Sequence, residues 1–405
     1  MTRSEKLFTL FAMMAILAIG AEYAITRPAS NALFLTVFSA QGYPWVWLAT
    51  VPLNLWVIYL YNRFLPKVGP LRMLWTLSAA VIAINALTAF LYPYFPKFIF
   101  FQYAWKDIYI LLMFKQLWSM IHCTIPAARA KWLYSCIYGM GAVGAILGSL
   151  IPGFLAPVFG SEKILFFTLP VYLGLIFSYT MAFHRSGTSL DIANPHPKEA
   201  LSLIRNSPLL IGILWLVIFM QVSVGLMEYQ FNAHLELNIL EKDLRTAYCG
   251  QLAGIGNLLN LVFQALGGVV MIRFFSLRRN HLLIPILLCG SALCSVLFPS
   301  FAVITCSYVF LKALDFSLFG VVREMLYIPL SSDAKFRAKA VIDVFAYRTS
   351  KAGVSLGLLL LQVLVGSALL PLASYLSIAI FIAWLATVSF LFRSSREQLL
   401  SRNII

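Results

Sequence analysis

Five charged residues lie close together in a stretch of the chain that is otherwise apolar enough for the interior of a lipid bilayer. These residues are Arg323, Glu324, Asp343, Arg348 and Lys351. A charged side chain at the centre of a bilayer costs at least about 2.5–3.5 kcal/mol on insertion scales, so it faces a polar cavity or a partner. The cluster therefore predicts a pathway for a substrate or an ion.

The composition indicates what kind of element must position these charges. The chain has 405 residues, of which 61% are hydrophobic and 11% are charged, and its mean hydropathy is +0.87. Soluble domains carry roughly 25% charged residues. A polytopic membrane protein is therefore predicted. The basic N-terminus, Met1 to Lys6, precedes a long apolar run without a clear cleavage site, so we interpret this run as a first transmembrane helix and not a signal peptide.

Hydropathy divides the chain into twelve segments of the length that a membrane span requires, about 20 residues. The predicted spans are 7–34, 43–62, 71–92, 97–122, 132–155, 162–183, 208–233, 246–272, 280–298, 300–330, 338–365 and 369–392. The longest polar break gives three predicted regions: an N-terminal six-helix bundle over 1–183, a cytoplasmic central loop over 184–207, and a C-terminal six-helix bundle with a short cytoplasmic tail over 208–405.

The distribution of basic residues predicts the orientation of the spans. Most of the 30 Lys and Arg residues fall at the ends and in the loops of one predicted side. Because cytoplasmic loops are enriched in Lys and Arg, both termini are expected in the cytoplasm. The same enrichment explains the net charge of +15 without a nucleic-acid partner, which we do not expect. With no organellar presequence visible, the bacterial inner membrane is the expected location.

The two halves of the sequence repeat each other at an offset of about 208 residues. Asp107 corresponds to Asp315 in this way, and Glu22-Tyr23 corresponds to Glu228-Tyr229 at an offset of 206. Six helices per half give the halves the same orientation in the membrane. Parallel six-helix repeats are typical of major facilitator transporters, whose substrate site lies near the membrane midplane. The predicted fold is therefore all-α and major facilitator-like.

Five charged residues on three of the predicted spans are candidates for substrate contact. Glu22 and Arg27 share the first span, Glu228 lies in the seventh, and Arg348 and Lys351 lie three residues apart on one face of the eleventh. A cluster of cations in a low-dielectric cavity favours an anion, and arginine suits phosphate recognition. An internal ion pair that acts as a gate, for example Glu228 with Lys351, is the competing interpretation.

Other charges are interpreted as gate or topology residues. Arg323, Glu324 and Asp343 are placed near the cytoplasmic end of the spans, and Lys115 is included with them as a gate or ion-pair residue. Lys106 and Asp107 are expected to point in different directions, since adjacent residues on a helix do not face each other.

Gly139 to Gly144 matches the dinucleotide-binding pattern GxGxxG, but the match lies within a predicted span and without a preceding strand. Close helix packing is the better interpretation, and the same is expected of Gly353 and Gly357. The histidines are dispersed, and no nucleophile–base or paired-carboxylate constellation is visible. We therefore expect no enzyme, no metal ion and no cofactor.

Several short motifs carry a resemblance to a known family. The segments EMLYIPL and KAVIDV precede Arg348-Thr-Ser-Lys351-Ala-Gly353, and QLW at Gln116, AKWLY at Ala130 and MEY around Glu228 occur in the same order. This set resembles the ADP/ATP translocases of plastids and obligate intracellular bacteria. The resemblance implies twelve helices, a divergent major facilitator fold and nucleotide transport.

The resemblance also implies which residues serve nucleotide exchange. Of two lysines and two glutamates in the family pattern, Glu228 and Lys351 are retained here. The position of the first-span lysine is Ser30, and that of the fourth-span glutamate is Gln116. Arg27 partly replaces the missing cation. The predicted substrate-binding residues are therefore Arg27, Glu22, Gln116, Glu228, Arg348 and Lys351.

The sequence thus predicts a monomeric secondary transporter, embedded in the lipid bilayer, for a nucleotide or related phosphorylated molecule. In this hypothesis Arg27, Arg348 and Lys351 hold the anionic part of the substrate, while Glu22 and Glu228 contact the base or ribose or form gating ion pairs. Two alternatives stay open. One is a major facilitator transporter for another organic anion, coupled to protons through Glu22 or Glu228. The other is a non-transporting scaffold or sensor with the same fold.

Overall fold

The part of the chain that the structure describes forms twelve long α-helices. The computed structural model describes residues 3–125, 127–186, 204–205, 207–267, 275–327, 342 and 346–394. Within these ranges the helices are α1 Arg3–Phe38, α2 Tyr43–Val68, α3 Pro70–Leu91, α4 Ile99–Thr124, α5 Ala127–Phe159, α6 Ser161–Ser186, α7 Pro208–Asn238, α8 Lys242–Val262, α9 Leu277–Leu297, α10 Phe301–Leu326, α11 Tyr347–Val365 and α12 Leu369–Ser394.

Nine helices in the described part of the chain are long and apolar enough to cross a membrane by length and composition. The other three, α2, α4 and α8, carry more polar and charged side chains. Their surroundings make this tolerable, because the ion pairs and hydrogen bonds described below satisfy several of these groups. The prediction of an all-α membrane protein with twelve helices is confirmed.

The helix limits differ from the predicted spans mainly in length. Helix α1 begins at Arg3 and ends at Phe38, several residues beyond the predicted 7–34 at each end. Hydropathy locates the apolar part of a helix, whereas the hydrogen-bonded helix continues into the polar ends. Helix α10 contains a π-helical segment, Asp315–Phe319, which the sequence did not predict.

The chain divides into two compact units. Unit 1 comprises Met1–Gly42, Ala49–Ile192 and Ile239–Leu258, and unit 2 comprises Tyr43–Leu48, Ala193–Asn238 and Leu259–Ile405. Most of the predicted central loop, 184–207, lies outside the described residues, so the predicted domain limits stay a prediction. The first residues of α2 belong to unit 2, and most of α8 belongs to unit 1.

Helices α1 and α5 of unit 1 approach each other unusually closely. A Cβ atom added at Gly144 would collide with the carbonyl oxygen of Leu17, and one at Gly148 would collide with that of Ala21. Glycine is therefore required on this face of α5 so that the two backbones can touch. This contact confirms that the GxGxxG pattern serves helix packing, as small residues do at membrane helix interfaces.

The same expectation is wrong for α11. A Cβ atom at Gly353 or Gly357 would meet no other described atom within 4 Å. Among the described residues, these two glycines therefore do not bring α11 against a neighbouring helix. Spacing alone identifies residues that permit close approach, but it does not say on which side the neighbouring helix lies.

The start of α8 is fixed to the start of α6 by polar contacts within unit 1. Asp243 accepts hydrogen bonds from the Ser161 backbone N–H, at 2.7 Å, and from the Ser161 hydroxyl, at 2.5 Å. Next to it, the Lys242 ammonium lies 2.6 Å from the Glu162 carboxylate. Arg245, which is 6% exposed, donates to the Thr36 hydroxyl at 3.4 Å. The ion pair compensates the charge of Lys242, and neutral groups solvate the charges of Asp243 and Arg245.

Unit 2 has its own apolar core around α7, α9, α10 and α12, with Phe319 and Trp384 in edge-to-face contact at 5.5 Å between ring centroids. A polar tie crosses from α7 to α12, where the Ser374 hydroxyl donates to Gln230 Oε1 at 2.7 Å and Gln230 donates to Ser377 at 3.4 Å. Large apolar side chains such as Trp215 and Phe390 point outward, as expected of surfaces that face lipid.

The close packing of α1 on α5 predicts a strong difference between two glycines of α5. Gly144→Ala is expected to destabilise the protein by roughly 1–3 kcal/mol, because its methyl group meets the Leu17 backbone and forces the helices apart. The midpoint of thermal unfolding in detergent measures the effect.

Gly139→Ala is the matched control, since a Cβ at Gly139 meets nothing within 4 Å. It is expected to unfold at or slightly above the wild-type temperature, because alanine favours helix over glycine. Equal melting of the two variants would contradict the packing described for α1 and α5.

Candidate functional site

Glu22 is the most deeply buried of the predicted site residues in unit 1. It is 1% exposed, and its Oε1 accepts hydrogen bonds from the Tyr109 hydroxyl at 2.6 Å and the Thr26 hydroxyl at 2.7 Å. Thr26 lies one turn along α1, and Tyr109 comes from the middle of α4. The carboxyl group is therefore held in place between two helices by neutral donors.

Arg27 lies one turn and a half further along α1 and is half-buried. Its guanidinium carbon is 6.0 Å from the centre of the Tyr23 ring, four residues earlier on the same helix. This position allows a weak cation–π interaction. A planar guanidinium can still present several N–H groups to an anion from such a position, so the geometry is compatible with the predicted role.

Lys106 and Asp107 on α4 form an ion pair, contrary to the expectation that they point apart. The Lys106 ammonium lies 2.9 Å from Asp107 Oδ1 and 3.6 Å from the centre of the Tyr103 ring, and Lys106 is 2% exposed. The long lysine side chain reaches past its own backbone to the neighbouring carboxylate. In a low-dielectric environment this attraction outweighs the directional preference of adjacent helical side chains.

The remaining predicted residues of unit 1 make local contacts. Gln116, 2% exposed, donates from Nε2 to the carbonyl oxygen of Pro70 at the start of α3. Lys115 is exposed and donates to Asn62 at 3.2 Å. Gln116 thus connects α4 to α3, and Lys115 connects α4 to α2. Their predicted roles, in substrate binding and in gating, stay predictions.

The main charged contact of unit 2 joins α7 to α10. The Lys312 ammonium lies 3.1 Å from Glu228 Oε2, and the two side chains are 15% and 18% exposed. The ammonium also lies 5.7 Å from the centre of the Tyr308 ring, which stacks on Phe231 at 4.3 Å. A lysine and a glutamate thus meet beside a pair of parallel aromatic rings.

Further charges of alternating sign continue from this pair along α10. Asp315 is close enough to interact with Lys312, with Arg323 and with Gln221. Arg323 then lies 3.5 Å from Glu324. Asp315 begins the π-helical segment of α10, and such segments occur frequently at functional sites. Each acidic group in this series has a basic neighbour, so none adds a large uncompensated field.

The two predicted cations of α11 are both half-buried. The Lys351 ammonium lies 5.8 Å from the centre of the Trp47 ring, which belongs to the first turns of α2 and to unit 2. Arg348 lies one turn before Lys351 on the same helix. Among the described residues of unit 2, these two cations share α10 and α11 with Lys312 and Arg323, and the carboxylates of Glu228, Asp315 and Glu324 lie on α7 and α10.

The structure thus places most of the predicted residues, but it adds partners that sequence reasoning missed. Glu228 has Lys312 as an ion-pair partner, which the sequence did not predict, and its predicted pairing with Lys351 stays a prediction. The signal for Lys312 was its isolated charge within an apolar helix. Tyr109 gave no such signal, since a tyrosine in a membrane helix is common. Asp343 lies outside the described residues.

Comparison with solved structures confirms the predicted major facilitator-like fold. The nucleoside transporter NupG superposes with a TM-score of 0.65, 10% identity and coverage of 95% of this chain and 99% of that chain. A bacterial homologue of the human lysosomal transporter Spinster superposes with a TM-score of 0.57, 13% identity and coverage of 100% and 98%. At these identities the likeness concerns the fold alone.

A family model gives the narrower assignment. The model described as TLC ATP/ADP transporter matches residues 188–394, just over half of the chain, and the protein belongs to this family. The predicted resemblance is confirmed. The protein is a multi-pass integral membrane protein.

Relatives with curated descriptions are carriers from Chlamydia. ADP,ATP carrier protein 1 of Chlamydia trachomatis is 28% identical over 214 residues, a match that covers 47% of this chain and 40% of that protein. The protein of the same name from Chlamydia pneumoniae is 25% identical over 215 residues, covering 47% and 42%. The chain therefore matches less than half of the length of these relatives.

The Glu228–Lys312 contact predicts a large effect of removing one partner. Lys312→Met leaves the partly buried Glu228 carboxylate without this ammonium and is expected to destabilise the protein by about 3–5 kcal/mol. The double variant Glu228→Gln/Lys312→Met is expected to regain most of that loss. Thermal unfolding in detergent measures all three proteins.

Glu324→Gln is the control for this cycle, because Glu324 is 43% exposed and its partner is 3.5 Å away. Pairs of this kind contribute about 1 kcal/mol or less. If Lys312→Met melted no lower than Glu324→Gln, the ion pair would have no special weight in the fold.

Proposed function

We propose that this protein is a secondary transporter that moves ATP, ADP or a related nucleotide across the membrane by alternating access. The observation that carries the proposal is the position of the family match. The matched region, 188–394, contains Glu228, Lys312, Arg348 and Lys351, the charged residues that lie within otherwise apolar helices of unit 2. We take the membrane to be the bacterial inner membrane, with both termini in the cytoplasm, and the working form to be a monomer.

The anionic phosphates would be held by the cations of the site. Arg348 and Lys351 lie one turn apart on α11, and both are half-buried. Arginine suits bidentate contact with phosphate oxygens, and lysine contributes a compact charge. Arg27 on α1 would supply the cation of unit 1. Lys312 would hold Glu228 in position, so that this carboxylate can contact ribose or base hydroxyl and amino groups, or open as part of a gate.

Two positions differ from the family pattern, and this limits the substrate assignment. Ser30 stands where the resemblance places a lysine, and Gln116 stands where it places a glutamate. Ser30 is fully buried, and Gln116 binds the Pro70 carbonyl group. One cation and one carboxylate are therefore exchanged for neutral groups. We propose nucleotides as the substrate class, and do not propose strict one-for-one exchange of ATP and ADP.

A second candidate function is transport of another organic anion coupled to protons. The buried carboxyl group of Glu22 favours it, because its recorded partners are neutral hydrogen-bond donors. A third possibility, a scaffold or sensor without transport, draws only on the neutral residues Ser30 and Gln116. Uptake of labelled nucleotides and of unrelated organic anions by the same preparation separates the three.

Replacing Lys351 tests the proposed transport. In proteoliposomes preloaded with unlabelled ATP, Lys351→Ala is expected to reduce uptake of labelled ATP at least tenfold, since loss of one phosphate contact weakens binding by roughly 1.5–3 kcal/mol. The variant should still melt near the wild-type temperature in detergent, because the lysine is half-buried.

Lys97→Ala is the matched control, as Lys97 is exposed in the turn before α4. Its uptake is expected to equal that of the wild type. The proposal fails if the wild-type protein gives no saturable nucleotide uptake, or if Lys351→Ala transports as fast as Lys97→Ala.

A further inference from the structure

Glu22 is an acidic residue whose hydrogen-bonding capacity is only half used. Its Oε1 accepts from Tyr109 and Thr26, whereas Oε2 has no donor within hydrogen-bond geometry among the described residues. The side chain is 1% exposed. A buried carboxylate oxygen without a donor is costly, since burial removes the water that would otherwise solvate it.

The surroundings of Glu22 form a network of neutral polar groups. Gln102 donates to Asn85 at 3.3 Å, and Asn85 donates to Thr168 at 3.3 Å. Asn85 and Tyr172 also lie close enough to the Glu22 carboxyl to interact with it. Gln102 Oε1 has no donor among the described residues. Two acceptor atoms of the network, Glu22 Oε2 and Gln102 Oε1, therefore lack a hydrogen-bond donor among the described residues.

Each element packed around Glu22 presents a neutral face to it. Asn85 comes from α3, Tyr109 from α4 and Tyr172 from α6, while α5 contributes its glycine face. On α1 itself, Thr26 donates to Glu22, and Tyr23 and Arg27 are the nearest titratable and charged neighbours. The Arg27 guanidinium lies over the Tyr23 ring. On α4, the Lys106 ammonium lies on Asp107.

The corresponding residue of the internal repeat is in a different environment. The sequence repeat aligns Glu228 of unit 2 with Glu22, and Glu228 has the Lys312 ammonium at 3.1 Å. An ammonium at that distance stabilises an ionised carboxylate, whereas tyrosine and threonine hydroxyls compensate the charge only in part. The sequence repeat thus aligns two glutamates, and within the described part of the chain Glu228 has a cation at ion-pair distance whereas the hydrogen-bond donors to Glu22 are hydroxyl groups.

From this asymmetry we propose that Glu22 is a proton-binding site, and that the proton it takes up couples the transport cycle to a proton gradient. This inference rests on the proposed function. The step adds one proton from the aqueous phase to Oε2 of the carboxylate and gives a neutral carboxylic acid, which removes the negative charge from the oxygen that has no donor among the described residues. Release of the same proton on the other side of the membrane completes the cycle.

The coupling has a simple electrostatic basis. Arg27 lies five residues from Glu22 on α1, which is about 7.5 Å along the helix axis. An ionised Glu22 opposes the positive field of Arg27, and a protonated Glu22 does not. Proton uptake at Glu22 therefore strengthens the attraction of unit 1 for an anion, so proton and nucleotide bind with positive cooperativity.

The test uses the full-length protein in proteoliposomes preloaded with unlabelled ATP and a pH-sensitive dye. An inward proton gradient is expected to raise wild-type uptake of labelled ATP by roughly threefold or more, with acidification of the interior on nucleotide addition. In Glu22→Gln the ratio of uptake with and without the gradient is expected to fall to about one, without acidification. Glu241→Gln, at an exposed position before α8, is the control and should behave as the wild type.

A second variant keeps the inference testable if Glu22→Gln does not fold. Tyr109→Phe removes one hydrogen-bond donor to the ionised carboxylate. The pH at which the proton gradient stimulates ATP uptake half-maximally should therefore rise.

The inference is overturned if uptake by Glu22→Gln is still stimulated by the gradient, or if the wild type exchanges nucleotide without moving protons. Failure of the proposed function is a different result: no nucleotide flux under any condition. In that case the infrared band of a protonated carboxylic acid, present in the wild type and absent from Glu22→Gln, still tests the site.

Discussion

The structure depends on how charges within membrane helices are compensated. An isolated charge in a bilayer is costly, and each acidic residue within the helices discussed above is met by a specific partner. Glu228 has Lys312, Asp107 has Lys106, and Glu162 has Lys242. Glu22 differs, because its donors are hydroxyl groups. These contacts fix the helices that carry them and decide which charges remain to act on a ligand.

Among the described residues of unit 2, this compensation distinguishes an ion pair from the cations of a neighbouring helix. Lys312 and Glu228 hold α10 and α7 together, whereas Arg348 and Lys351 lie on the adjacent α11. In the proposed function, the ion pair positions the helices and the cations of α11 bind phosphate. Membership of the TLC ATP/ADP transporter family agrees with such an arrangement. The neutral residues Ser30 and Gln116 distinguish this chain from the family pattern.

The helices could be predicted from sequence because twenty apolar residues in a row have few alternatives in a membrane. The packing of α5 on α1 was also predictable, since Gly144 and Gly148 permit contact that larger residues forbid. Pairing was not. Glu228 has several basic residues within its half, and the choice of Lys312 depends on the rotation of α10 about its axis. The rotation of α11 about its axis likewise decides that Gly353 and Gly357 make no close helix contact with the described residues. Partners such as Tyr109 carry no charge and so gave no signal.

The central claim is that the interior cations recognise the phosphates of a nucleotide. Isothermal titration of the purified protein with ATP, ADP and adenosine tests this most directly. The account predicts saturable binding of ATP and ADP, and binding of adenosine that is at least tenfold weaker, because adenosine lacks the groups that Arg348 and Lys351 are proposed to contact. Equal binding of adenosine and ATP, or no binding of any of the three, would contradict it.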